Sequence, residues 1–309
     1  MSMDLVGKML ALISAIFWAL AVILFKRAGN QIRPLALNFY KSAVTAVLII
    51  PILLFAHIPL IPAQLEPKHL LAALLSGVIG IALADTLFFF CLNLLGASLT
   101  AIIDCMYIPC VMVCSWLVLG EVPHLTQIGG ALLVIAAILL AALQKDEAPT
   151  RDEAPHRDKA PVPLPKLIFG LIVGTSAMGL MAISIVLMRP VLHRAPIFWV
   201  TEVRLLAAMV ALSFFLIIHN DSWAMLKPLG HKNAWRTAFP GTILGNLLAM
   251  SCWVAAFKFT TVNAAAVLNQ TNTVFIVVLA SLLLKEPFTK RRLVATILAV
   301  IGSAFVLAT

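Results

Sequence analysis

The sequence predicts an all-α polytopic membrane protein with ten transmembrane helices in two inverted five-helix repeats. Three observations carry this. Of 309 residues, 62% are hydrophobic and 11% charged, with mean hydropathy +1.05; a soluble domain has roughly 45–50% apolar and ~25% charged residues. Apolar runs of spanning length recur along the whole chain, and lipid leaves helix as the economical backbone for them. The two halves also resemble each other on either side of a single charged linker.

Taken in order, ten runs stand at about 7–25, 35–56, 69–92, 97–119, 125–143, 166–188, 197–218, 236–257, 263–284 and 291–308. The first, Met9 to Phe25, is longer than a signal-peptide core and leads into Lys26 and Arg27 rather than a small-residue cleavage site, so it stays as a transmembrane helix. The third and fourth are joined by a tight turn near Leu94 to Ala97, and short turns also part the ninth and tenth from their neighbours. Between the fifth and sixth lies KDEAPTRDEAPHRDKAPVPLPK, rich in proline and in charges of both signs. That composition suits a solvated linker. The expected organisation is a first repeat over 1–144, a linker over 145–165 and a second repeat over 166–309.

The repeat shows in register. A shift of 165 residues places Leu119-Gly120-Glu121 on Leu284-Lys285-Glu286, Gly80 on Gly245, Ser98 on Asn263, Asp85 on Met250 and Asp104 on Asn269; a shift of 163 places Lys26 on Arg189 and Lys41 on Arg204. A copy with an odd number of crossings enters the membrane from the opposite side, which is the inverted plan of many secondary transporters.

The net charge of +9 comes largely from basic residues between the apolar runs. There they act as topology signals rather than as a nucleic-acid surface. Their excess in the odd-numbered loops places those loops in the cytoplasm. All five cysteines lie inside apolar segments without CxxC spacing, and no histidine sits mid-span. No cofactor, metal or histidine proton relay is expected.

Several segments resemble the EamA-type branch of the drug/metabolite transporter superfamily. They are AIFWALAVILFK, containing Trp18; the stretch Gly77 to Gly130, with LLGAS, Pro109, LGE and QIGGALLVIAAILL; and the second-half LLLKEP. The likeness covers nearly the whole chain apart from the linker. It implies ten helices in two inverted repeats, a central cavity and secondary transport, often export. It also implies cytoplasmic termini, opposite to the charge bias. Asp85 and Asp104 are not part of the family's general pattern.

Those two carboxylates are the foremost candidates. Asp85 lies about ten residues before the Leu94–Ala97 turn and Asp104 about eight after it. At ~1.5 Å rise per residue both fall roughly 12–15 Å deep, near the midplane of a ~30 Å hydrocarbon core. An ionisable group there faces a partner, a pathway or water. If the two face each other, they share one proton or grip a cationic substrate. Tyr107, one turn from Asp104, is placed to orient its carboxylate. Asn269, Gln270 and Asn272 on the ninth run, with Asn246 and Ser251 on the eighth, form a second polar group that either lines a cavity or joins helices. Trp18 and Trp253 carry a polar atom that needs a partner when buried, whereas Phe88 and Phe89 read as packing or lipid-facing. Lys41, Glu202 and Arg204 enter their helices about a turn and a half deep. Snorkelling to the interface is the expected role, with gating as the alternative. Glu121 and Glu286 are expected to stabilise the N-terminus of the helix that follows each.

The functional expectation is a secondary transporter, an exporter of a small metabolite such as an amino acid or a derivative. Protons are the coupling ion, and the setting is the cell membrane, as in the bacterial inner membrane. The alternative is a polytopic membrane enzyme acting on a lipid-linked substrate through Asp85 and Asp104. Partners are the small-molecule substrate and the lipid bilayer.

Overall fold

A computed structural model of the chain describes residues 3–59, 62, 65–119, 122–142, 163–192, 194–218, 222–230, 232–260, 268–287 and 289–307. The first half comprises α1 (Met3–Ala28), α2 (Pro34–Phe55), α3 (Pro67–Leu95), α4 (Ala97–Asp104), α5 (Tyr107–Leu119) and α6 (Leu125–Ala142). The second comprises α7 (Leu164–Leu192), α8 (Ile197–Ile218), the short α9 (Ser222–Leu226), α10 (residues 232–259), α11 (Asn272–Leu284) and α12 (Lys290–Leu307). Nearly all of the expected linker, and Glu121 with it, lies outside the described residues.

Seven helices among the described residues are long and apolar enough to cross a membrane, against the ten expected: α1, α2, α3, the α4–α5 stretch from Ala97 to Cys114, α6, α7 and α8. The remaining three runs depart from a plain apolar helix for visible reasons. The ninth is divided, leaving α11 with 13 residues. The tenth opens on Lys290, Arg291 and Arg292. The eighth begins with the polar stretch KNAWRT.

The molecule is packed with small residues inside and large apolar ones outside. Ala11, Ala15, Ala19, Ala21 and Ala36 are fully buried, whereas Phe55, Val210 and Ile217 are 73–86% exposed. This suits a hydrocarbon solvent, where helices associate by close approach and large apolar side chains face lipid at no cost. The two halves interleave. α2 packs on α8 and α6 on α12, like spans together; α1 packs on α10 and α11, while α7 packs on α3 and α5. The first span of each half thus lies against the third and fourth of the other.

Both halves carry the same two irregularities. Residues Gly77–Ala84 of α3 and Ile243–Ala249 of α10 are wound as wider π-type turns. Each ends alike, with the Asp85 N–H donating to Gly80 O and the Met250 N–H to Gly245 O, five residues back. The fourth span then breaks at Cys105–Met106, and its copy at Gln270–Thr271. Pro109 cannot donate to Cys105 O, which instead receives the Ile108 N–H at 3.3 Å. The second break has no proline. There the Thr271 hydroxyl donates to Leu268 O at 2.6 Å, competing with the helix ladder. Neither irregularity was foreseen from the apolar pattern, yet both recur at the shift of 165 read from the sequence.

The turn expected near Leu94–Ala97 falls at Gly96, whose φ of 87° favours glycine. Glu286 occupies a helix N-terminus, but not that of the following helix. Its two carboxylate oxygens accept the Ala97 and Ser98 N–H groups at 2.7 and 2.9 Å, capping α4 of the other half. Lys285, left-handed at φ 55°, turns the chain so that Glu286 reaches it. Conversely, Lys26 donates to Leu92 O and Asn93 O at the C-terminus of α3. Both charges oppose helix-end partial charges of opposite sign. Glu286→Ala is expected to lower stability by about 1–2 kcal/mol, as loss of a helix cap does, with Glu286→Gln losing less; thermal denaturation of the purified protein measures both.

Candidate functional site

Between the halves lies a cavity of about 220 Å³, many times the ~10–15 Å³ that one water needs. All the long helices except α6 and α12 contribute. Trp18 comes from α1, Lys41 from α2, Asp85 and Phe88 from α3, Asp104 and Tyr107 from α4 and α5, Met181 from α7, and Thr201 and Arg204 from α8. α10 adds Asn246, Met250 and Trp253, and Asn269 and Asn272 flank the second break. The helix irregularities define its wall. Asp85 directly follows a π-type stretch, and Asp104 is the last residue before a break. Their copies Met250 and Asn269 hold the same positions in the second half. Irregular turns of this kind turn side chains out of register and free backbone groups, which is why they gather at functional sites.

Lys41 Nζ forms a close ion pair with Asp85 Oδ2, with the two side chains 3% and 16% exposed. The ammonium also lies 5.2 Å from the centroid of the Phe89 ring, a favourable face for a cation. Buried Asn38 holds the π-type stretch, donating to Ile81 O at 2.6 Å and to the Thr86 hydroxyl at 2.9 Å. Across the cavity, Arg204 is 2% exposed, and its Nη2 donates to Ser184 Oγ at 3.2 Å. Ser184 is itself locked to Ser76 by mutual hydroxyl-to-carbonyl bonds of 2.9 Å. α8 and α7 reach this depth only because α3 presents glycines. A Cβ on Gly77 would stand 2.3 Å from Arg204 O, and one on Gly80 2.1 Å from Ser184 Oγ.

Among the sequence candidates, Asp85, Asp104, Tyr107, Asn246, Asn269, Asn272, Trp18, Trp253, Lys41 and Arg204 line this one cavity. Four expectations need correction. Lys41 and Arg204 do not snorkel; each is held inside by a buried polar partner. Asp85 does not face Asp104 alone: it is ion-paired with Lys41 while sharing the cavity with Asp104. Gln270 is buried in the break, its amide donating to Cys105 Sγ and the Thr273 hydroxyl, away from the cavity wall. Glu202 is buried apart from the cavity, with Oε2 unpartnered among the described residues. Phe88, read as packing, is a cavity residue and stacks obliquely on Trp18 at 6.1 Å. Thr45, Met181, Thr201 and Met250 also line the cavity and were not among the candidates, since none is unusual in an apolar run. The repeat register, placing Asn38 on Thr201 and Asp85 on Met250, is the one signal that could have singled out the last two. Among the described residues no three His, Cys, Asp or Glu side chains are grouped as a metal site requires.

These features define a class: a multi-pass helical membrane protein whose two similar halves enclose a largely apolar cavity that carries a few ionisable and amide side chains. The chain belongs to the EamA-like transporter family, whose model matches residues 5–143 and again 168–308. No curated protein matches the sequence. The fold is similar to that of a solved structure described as the crystal structure of a protein, with a TM-score of 0.59 at 15% identity, over 99% of this chain and 97% of that one. That likeness concerns the fold alone.

Removing one member of the buried ion pair strands the other. Lys41→Met is expected to cost about 3 kcal/mol, and the double change Lys41→Met with Asp85→Leu to recover most of it; melting of the purified variants decides.

Proposed function

We propose that the protein is a secondary transporter that exports a small metabolite, an amino acid or a derivative of one, by alternating access around the central cavity, with protons as the coupling ion. The observation that carries this reading is the cavity itself. It is built from both halves, sits beside every helix irregularity, and has Lys41, Arg204, Asp85 and Asp104 in its wall. Intramembrane ionisable groups around a shared cavity serve solute or proton passage. Members of the family are transporters, which leaves the enzyme alternative without support.

The halves are read as inverted copies that exchange roles. In the first, α2 brings Lys41 onto Asp85. In the second, α8 packs chiefly on α2 and α3 rather than on its own α10, and the cavity opens between them. Rocking of one half against the other would close the second gap and open the first, exposing the site to the opposite side of the membrane. Asp104 is assigned the proton. It lines the cavity, it has no cation on it among the described residues, and its copy Asn269 cannot titrate. Asp85 is instead held by Lys41. The setting is the cell membrane, as in the bacterial inner membrane.

The test is uptake by proteoliposomes of a panel of amino acids and related metabolites, with and without an acidic lumen. An acidic lumen is expected to accelerate uptake of the preferred solute, as proton exchange requires. Asp104→Asn is expected to retain solute exchange at equal pH and to lose the acceleration. No uptake of any solute overturns the transporter reading; a pH response kept by both Asp104→Asn and Asp85→Asn overturns the proton assignment.

A further inference from the structure

We infer that the cavity contains a carboxylate-binding subsite at Arg204, where the bound solute supplies the counter-ion that the second half of the chain lacks. Only the claim that this solute is transported rests on the function proposed above; the subsite itself is a statement about binding.

The argument is one of symmetry and charge. Each half places a cation on its second span, Lys41 on α2 and Arg204 on α8, matched at a shift of 163. Each half also places one residue directly after the π-type stretch of its third span, Asp85 in the first and Met250 in the second. The matching backbone bonds to Gly80 and Gly245 make those two positions equivalent in three dimensions as well as in sequence. In the first half the cation finds its carboxylate, Lys41 on Asp85. In the second half the cation remains and the carboxylate is replaced by a thioether. Lys41, Asp85, Arg204 and Met250 all line the same cavity.

Arg204 shows the consequence. Its Nη2 has a neutral hydroxyl, and Nε and Nη1 have no hydrogen-bond partner among the described residues, although the residue is 2% exposed. A guanidinium keeps its charge under any ordinary condition, and a desolvated cation without a counter-ion is strongly unfavourable. Asp85 is committed to Lys41; Asp104, on the same cavity, and buried Glu202, two residues away on α8, form no ion pair or hydrogen bond with Arg204 among the described residues. No described carboxylate of the chain therefore sits on Arg204, and the space beside it is the cavity.

A carboxylate meets the requirement, because guanidinium donors match its two planar oxygens with charge-assisted bonds. The remaining wall describes the rest of the solute. Thr201, one turn from Arg204, offers a hydroxyl, while Trp18, Met181 and Trp253 are apolar bodies. The ligand class is a small amphipathic carboxylic acid, with an amino acid as one member.

The experiment uses the full-length protein in lipid nanodiscs, titrated with L-phenylalanine, 3-phenylpropionate, L-phenylalaninamide and phenyl phosphate, and read by tryptophan fluorescence and thermal shift. The two carboxylates are expected to bind, with the amide about tenfold weaker or more, as the loss of a charge-assisted pair implies. Arg204→Gln is expected to erase the preference for acid over amide. Met250→Asp, which gives Arg204 an internal partner, is expected to weaken both carboxylates by about tenfold or more, and Met250→Asn several-fold less. Should Arg204→Gln fail to fold, the two Met250 variants carry the test. A purely structural Arg204 would gain stability from Met250→Asp with the acid preference unaltered, and that result overturns the proposal. So do equal affinities for acid and amide, no binding of either carboxylate, or binding of phenyl phosphate alone. Acid-selective binding without uptake of any solute would remove the transport reading and leave the subsite standing; uptake indifferent to the acid group would do the reverse.

Discussion

The buried ion pair between Lys41 and Asp85 is the interaction around which this molecule is arranged. A charge near the middle of a hydrocarbon layer is tolerated only when something compensates it. Much of the surrounding structure supplies that compensation. The Phe89 ring faces the ammonium, Asn38 steadies the wide turn that delivers Asp85, and glycines at 77 and 80 let α7 and α8 approach α3 closely. The cavity lies where these demands meet. Its few ionisable groups are the charges that packing cannot remove.

The second half repeats the architecture without repeating the chemistry. Its third span has the same wide turn, and its fourth has the same break, each at the matching residue. A proline explains the break in one half and a threonine hydroxyl accompanies it in the other. The irregularity is therefore kept although its local cause differs, which points to a role in shaping the cavity rather than to an accident of sequence. The charges diverge instead. Met250 and Asn269 stand where the first half has Asp85 and Asp104, so an almost symmetric scaffold surrounds an asymmetric site.

One end cap joins the halves and another lies within the first. Glu286, at the end of α11, caps α4 of the first half, while Lys26, at the end of α1, caps α3 of its own half. Such end caps tie the boundaries of the helices that flank the cavity, while within the spans alanine and glycine allow close approach and a few buried polar bonds, Ser76 with Ser184 and Asn38 with Ile81 among them, fix the helices side by side.

By itself the sequence determined the membrane setting, the two halves, their register and the family. All of these follow from hydropathy and spacing, which accumulate over many residues and survive low identity. It also determined ten of the cavity's polar and aromatic residues, because an ionisable or amide side chain in a long apolar run is conspicuous and costly. Tertiary structure alone decided how those residues are paired. The assignment of Asp85 to Lys41, the burial of Arg204 and Glu202, the withdrawal of Gln270 into a turn and the reach of Glu286 to the opposite half all depend on which helices touch. The interleaving that sets those contacts arises from close approach between small residues far apart in the chain. No local pattern around Lys41 or Arg204 distinguishes a side chain bound for the interface from one held in the core. The difference lies in what the neighbouring helix presents, glycine and serine on one side and a carboxylate on the other.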